Sequence, residues 1–115
     1  MILNDDLEGA LKAYISCMNK KEYFEAHEAL EEVWHPLRLK KHPLANLVKG
    51  LINAAIGFEH IKRNKKNVKS KAQRVMLSYE RHKHLCIKHI EYYSLFKASI
   101  EKVEVLKYKY SEMFK

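Results

Sequence analysis

Between Leu44 and Phe58 the chain carries apolar side chains on almost every side of a helical wheel: Leu44, Leu47, Val48, Leu51, Ile52, Ala55, Ile56 and Phe58. A helix that is apolar all round has no face to turn to water, so it must lie at the centre of a fold and be covered by other helices. The segment is expected to run to about Arg63, with Pro43 in its first turn, where a missing N–H costs nothing. Gly50, Ala54 and Gly57 share one side of it. A Gly in a helix interior costs about 1 kcal/mol relative to Ala. Two in register imply that another backbone comes close, and the Ala26, Ala29 and Val33 side of the preceding helix is the expected neighbour.

The other segments supply the cover. Leu7, Ala10, Leu11, Tyr14, Ile15 and Met18 recur at helical spacing behind the cap Asn4 and the acids Asp5 and Asp6, giving a first helix that ends near Asn19. A second begins near Lys21 or Glu22 and carries Tyr23, Ala26, Leu30, Val33 and Trp34. It is expected to stop at His35-Pro36, because the residue before proline is pushed out of the α region, and Leu37 to His42 then reads as a basic loop. Asn64 to Asn67 reads as a turn. Val68, Ala72, Val75, Met76 and Tyr79 mark a fourth helix, and Phe96, Ile100, Val103, Leu106, Tyr110 and Phe114 a fifth, with the break somewhere in 82–93. There are 3 Gly and 2 Pro in 115 residues, and neither occurs after Gly57, which excludes a turn-rich β fold. The expectation is one all-α domain spanning 1–115, a bundle of about five mostly antiparallel helices joined by short loops.

Charge divides the chain. Residues 1–32 hold 8 acids and 3 bases, whereas residues 33–115 hold 6 acids and 19 bases, for a formal net charge of +8. Such an excess suits either a solvated surface or a polyanionic partner. Most of the bases are Lys, which lacks the bidentate fork of Arg. The densest run is Lys62, Arg63, Lys65, Lys66, Lys69, Lys71 and Arg74, seven bases with no acid between them. Phosphate is one candidate ligand there, at the amides that open the fourth helix. The apolar runs are too short for a membrane span. The start of the chain does not read as a secretory leader, and two cysteines, Cys17 and Cys86, make no disulfide framework, so a cytoplasmic protein with reduced thiols is expected.

Three groups of side chains invite chemistry. Tyr23, His27, Leu30 and Trp34 fall in one narrow stripe of the second helix, with Glu31 flanking it and Glu28 further round. A histidine and a carboxylate on a buried face are costly unless paired. They read either as a hydrogen-bonded packing pair, as metal ligands, or as an acid–base pair. The third helix offers partners in Asn53, Glu59 and His60, and helical wheels leave open whether Glu59 or His60 points inward. The pattern is not that of a zincin, which needs a second His where Glu31 stands, and Glu32-x-x-His35 occurs once where a di-iron bundle needs two copies. His82, Cys86 and His89 would share a face if that segment were a single helix, with His84 close by.

The segment Tyr23-Phe24-Glu25-Ala26-His27-Glu28-x-Leu30-Glu31-x-x-Trp34, followed after a loop by Leu47-Val48-Lys49-Gly50-Leu51-Ile52-Asn53-x-Ala55 and by His60-Ile61-Lys62-Arg63-Asn64, resembles a small all-helical prokaryotic family catalogued as domain of unknown function 309. The resemblance covers roughly residues 20–80. Lys49 and Asn53 stand where the family usually has Gln, and Asn64-Lys65 where it has a Gly-Asn turn. The resemblance implies a helical bundle, with His27, Glu28, Glu31, Trp34, Gly50 and His60 at the signature positions, and a chain break between the fourth and fifth helices. It assigns no activity. Three functions follow as expectations. The first is a structural or interaction protein, alone or as a homo-dimer, in which His27, Glu28, Glu31, Trp34 and Gly50 form a polar network in or beside the core. The second is a divalent-metal protein or metal-dependent hydrolase with ligands His27, Glu31 and His60 and Glu28 as general base. The third is a binder of nucleic acid or an acidic protein through the basic run.

Overall fold

The computed structural model describes residues 3–115, with side chains from Leu7 on. Its helices are α1 (Leu3–Asn19), α2 (Tyr23–Leu39), α3 (Ala45–Arg63), α4 (Val68–His82) and α5 (Tyr93–Lys109). Short 3-10 turns follow α4 (Lys83–Leu85) and α5 (Ser111–Phe114), and no strand occurs among the described residues. The fold is therefore the expected all-α bundle. The side chains of the cap Asn4 and of Asp5 and Asp6 lie outside the described residues. Among the described residues no helix is long and apolar enough to cross a membrane.

The helix that is apolar all round takes the centre. Leu47, Val48, Leu51, Ile52, Ala54, Ala55 and Phe58 are buried on its several sides. It packs most heavily against α4 and α2, and less against α5, while α1 packs on α2 and on α5. The Tyr14 hydroxyl of α1 reaches the axis and donates to the Leu51 carbonyl at 2.8 Å. The small-residue side of α3 meets a different neighbour from the expected one. A Cβ on Gly50 would lie 3.1 Å from Tyr79 Cα and 3.3 Å from the Ser78 carbonyl oxygen, and one on Gly57 would face Met76, Val75 and Ala72. The close backbone approach implied by the glycines exists, but it joins α3 to α4. Helix α2 presents larger groups, with Tyr23, Leu30, Val33 and Leu37 buried beside Ala26.

The proline does not end α2. The helix continues through His35 and Pro36 to Leu39, so the loop expected from Leu37 is shorter and begins at Lys40. Proline removes one helical hydrogen bond and crowds the carbonyl four residues back. So near the C-terminus that loss is offset by burial of Leu37, which is only 3% exposed, and by a closing motif. The His42 amide donates to Leu37 O at 2.9 Å and the Lys41 amide to Arg38 O at 3.0 Å, with Lys41 left-handed at φ 55°. Helix α1 closes the same way, with Glu22 N–Cys17 O at 2.8 Å, Lys21 N–Met18 O at 3.2 Å and Lys21 at φ 61°. This pair of bonds usually recruits glycine at the left-handed position. Here lysine takes it twice. Pro43 lies ahead of α3 in a turn whose Leu44 amide donates to His42 Nδ1 at 3.1 Å.

Helix α5 is fixed to α4 by a polar cluster. The Tyr79 hydroxyl donates to Glu104 Oε2, Lys83 lies 2.8 Å from Glu80 Oε1 and 3.4 Å from Glu104 Oε2, and Lys107 pairs with Glu80. Burial alone would raise the Glu80 carboxyl, but the hydrogen bonds from Lys107 and Lys83 hold it below its ordinary value. The segment after α5 folds back over the bundle. The Phe114 ring meets Phe58 edge-on at 6.0 Å between centroids, and Gln73 Nε2 donates to the Lys115 carbonyl at 2.9 Å.

Candidate functional site

The buried stripe of α2 is centred toward Ala26 and Val33, so His27 falls at its edge and Glu31 beyond it. His27 is half-buried, and Glu28 and Glu31 are both exposed. The His27 ring packs edge-on against Phe24 at 4.9 Å, and its Nδ1 lies 2.5 Å from the Phe24 carbonyl oxygen. A carbonyl only accepts, so Nδ1 carries the hydrogen and Nε2 is the nitrogen left to face outward. The expected His27–Glu31 pair inside the core is therefore replaced by a histidine bonded to its own helix and a solvated carboxylate. Trp34 lies elsewhere on α2, under Lys49 Nζ at 4.2 Å and Arg38 Cζ at 5.2 Å from the ring centroid. With Gly50 against α4, the signature positions do not form one network.

The metal reading loses its geometry as well. Among the described residues no three His, Cys, Asp or Glu side chains gather so that they could hold a metal ion. Glu28 and Glu31 are exposed and do not line the groove that His27 and His60 share. The face of His82, Cys86 and His89 disappears because α4 ends at His82, whose Nδ1 bonds the Ser78 carbonyl at 3.0 Å, and His89 lies exposed in the following loop. Both cysteines are half-buried, and burial raises their thiols, with Glu22 and Glu25 adding to the effect at Cys17. They are packing groups.

What the fold does assemble lies at the C-terminal end of α3. Both Glu59 and His60 are half-buried there. A groove between α2 and α3, about 230 Å³, is lined by Phe24, His27, Ile56, Glu59, His60 and Arg63. Beyond His60 and Arg63, which wall both spaces, a second pocket of about 140 Å³ is lined by Lys65, Lys66, Val68 and Lys71 as well. The groove is mixed, with an aromatic ring, an aliphatic side chain and a carboxylate. The pocket holds four cations and no acid. Arg63 joins the two: its Nε donates to Glu59 Oε2 at 2.6 Å and its Cζ lies 5.6 Å from the Phe24 centroid. The His60 imidazole is held below its ordinary pKa by burial first, then by Lys71 and Arg63.

Local sequence explains the pocket. Asn64 and Asn67 both adopt left-handed backbone, at φ 48° and 62°, which Asn tolerates better than most residues. The tight reversal brings the end of α3 and the start of α4 together, so that like charges distant on an extended chain converge. Not all of the basic run takes part. Lys62 turns the other way and donates to the Lys21 carbonyl at 2.9 Å, while Lys69 and Arg74, exposed like the four lining cations, do not line the pocket.

The family model described as a domain of unknown function (DUF309) matches residues 11–71. The chain belongs to this family. No curated protein and no solved structure matches it. The DUF309 match runs from α1 into the first turn of α4, so it contains every residue that lines the groove and the pocket. Two of those residues, Phe24 and Ile56, were not among the candidate site residues read from the sequence. Phe24 is 42% exposed, and it and Ile56 come from separate helices. The clues to Phe24 were its place in the family-like segment and its being a large aromatic lying off the apolar stripe of its helix.

Proposed function

We propose that the protein is a binding protein for a phosphate-bearing ligand, held at the turn between α3 and α4. The observation that carries this reading is the pocket walled by Arg63, Lys65, Lys66 and Lys71 with no acidic side chain among its lining residues. Arg63 is already paired with Glu59, but Lys65, Lys66 and Lys71 around a space of about 140 Å³ repel one another, and an anion relieves that repulsion. The pocket also opens at the amino end of α4, where Asn67 gives no side-chain cap. Uncapped amides and the helix dipole both favour negative charge at that end. His60 adds a ring that donates or accepts according to its protonation state.

Isothermal titration of the full chain with inorganic phosphate or pyrophosphate at low salt tests the reading. Binding should weaken as salt rises. Lys66→Ala or Lys71→Ala should each weaken it at least about 10-fold, the loss of one charge-assisted hydrogen bond. Lys69→Ala, outside the pocket on the same run, should leave it unchanged. Absence of binding at low salt, or equal effects of the lining and the outside lysines, would overturn it.

A further inference from the structure

We infer that the ligand is a nucleotide, its phosphate in the basic pocket and its base in the adjoining groove between α2 and α3. This rests on the phosphate-binding reading and adds what the neighbouring space recognises. The two spaces are contiguous, since His60 and Arg63 line both. Neither alone is large, but together they reach the lower end of the roughly 300–1,000 Å³ that small-molecule sites occupy.

The two spaces differ in chemistry in the way that a nucleotide does. An anion is excluded from the groove by the Glu59 carboxylate and welcomed in the pocket, which has no acid. A planar heterocycle fits the groove. Phe24 offers it a half-exposed aromatic ring, Ile56 an aliphatic wall, and Glu59, whose Oε2 already accepts from Arg63, its Oε1 as an acceptor for the amino and imino hydrogens that bases carry at their edges. His27 adds a second polar point, because its Nδ1 is committed to the Phe24 carbonyl and Nε2 remains for the ligand. That bond also fixes the imidazole against the Phe24 ring, so the groove wall is set before anything binds. Arg63, between Glu59 and Phe24, stands where the sugar would join base to phosphate. Stacking of a base on an exposed aromatic tolerates different sequences and works for a single unit as well as for a strand. A free nucleotide and a nucleic-acid end therefore share this chemistry.

The test compares, by titration calorimetry on the full chain at low salt, inorganic phosphate, the four nucleosides, the four nucleoside 5′-monophosphates and a short single-stranded oligonucleotide. At least one monophosphate should bind 10-fold or more tightly than phosphate. Phe24→Ala should cost that monophosphate roughly 5- to 150-fold, as loss of a stacking contact does, and leave phosphate affinity unchanged. Phe24→Leu, which keeps the apolar bulk, separates stacking from fold damage, and thermal melts check both variants. An oligonucleotide tighter than the monophosphate assigns the source to a strand end, and equal affinity assigns it to the free nucleotide. If phosphate binds and no monophosphate or oligonucleotide exceeds it, or if Phe24→Ala weakens all of them alike, the nucleotide inference fails while phosphate binding stands. If nothing binds, both fail.

Discussion

Replacing each helical glycine in turn with alanine makes the same chemical change in three surroundings. At Gly50 the new Cβ would sit 3.1 Å from Tyr79 Cα and 3.3 Å from the Ser78 carbonyl oxygen. Both are backbone atoms of α4, and neither can swing aside as a side-chain tip does. The two helices must part by a few tenths of an ångström along their shared seam, and overpacking of this kind costs about 1–3 kcal/mol. Removing glycine from a helix interior returns about 1 kcal/mol, so Gly50→Ala should lose about 1 kcal/mol net. At Gly57 the Cβ would meet Met76 Cε and Val75 Cγ2, each at 3.4 Å, which is ordinary contact with side chains that can adjust. Gly57→Ala should therefore gain about 0.5 kcal/mol. At Gly9 nothing lies within 4 Å, and the full propensity gain of about 1 kcal/mol is expected. Urea unfolding followed by circular dichroism should place Gly50→Ala about 2 kcal/mol below Gly9→Ala, roughly 8 °C in Tm. If the two variants were equally stabilised, the claim that backbone meets backbone at Gly50 would be refuted.

Other outcomes follow from groups already described. Tyr14→Phe removes the buried bond to Leu51 O and should cost about 1–2 kcal/mol; a change below about 0.3 kcal/mol in the same urea assay would show that this bond does not hold α1 to the axis. The polar groups make stability depend on pH in two windows. Glu80 is held below its usual 4.5, so its contribution is present above that pH and fades as pH falls through the lower native value. Glu80→Gln should flatten the acid limb of a Tm-versus-pH curve, and an unchanged limb would count against the Lys107 and Lys83 pairing. His60, held below its usual 6.5, works in a higher window. The unfolded chain takes the proton first, so its effect is a loss of stability as pH drops through 6.5, and His60→Gln should remove that step. A bound phosphate should reverse the bias, drawing a proton onto His60 and shrinking the step.

The all-α architecture was legible because periodicity is a local signal that burial reinforces, whereas the break between α4 and α5, with no Gly or Pro to mark it, was placed only broadly in 82–93. The glycines on α3 announced a close approach but not its partner, since a wheel gives angles around one axis and says nothing of which helix lies there. Pro36 misled for a related reason. Proline's local cost is readable, whereas burial of Leu37 and the Lys41 closure that offset it are tertiary. The left-handed lysines at 21 and 41 carried no composition cue at all. At the site, the basic run was visible as a run, yet which of its members face one another depended on the Asn64–Asn67 reversal. His27 and Glu31 looked like neighbours on a wheel because the apolar stripe was drawn through Trp34. The real core of α2 lies toward Ala26 and Val33, and that shift sends Glu31 to water. Phe24 could be placed only when α3 was set beside it.

The central helix leans mainly on its neighbours in sequence, α2 before it and α4 after it. Each of those seams closes over a short turn, so the three helices can assemble as successive hairpins with little loop entropy to overcome, a topology associated with fast folding. The seam between α1 and α5 is different, because it brings together segments from opposite ends of the sequence. Transient opening should begin there, with α5 and the segment behind it leaving first and uncovering Phe58 of α3. The groove and the pocket draw all their walls from α2, α3, the turn after it and the start of α4. A molecule caught with its last helix detached would still carry every residue that lines them, so loosening of the bundle at its chain ends need not reach its cationic end.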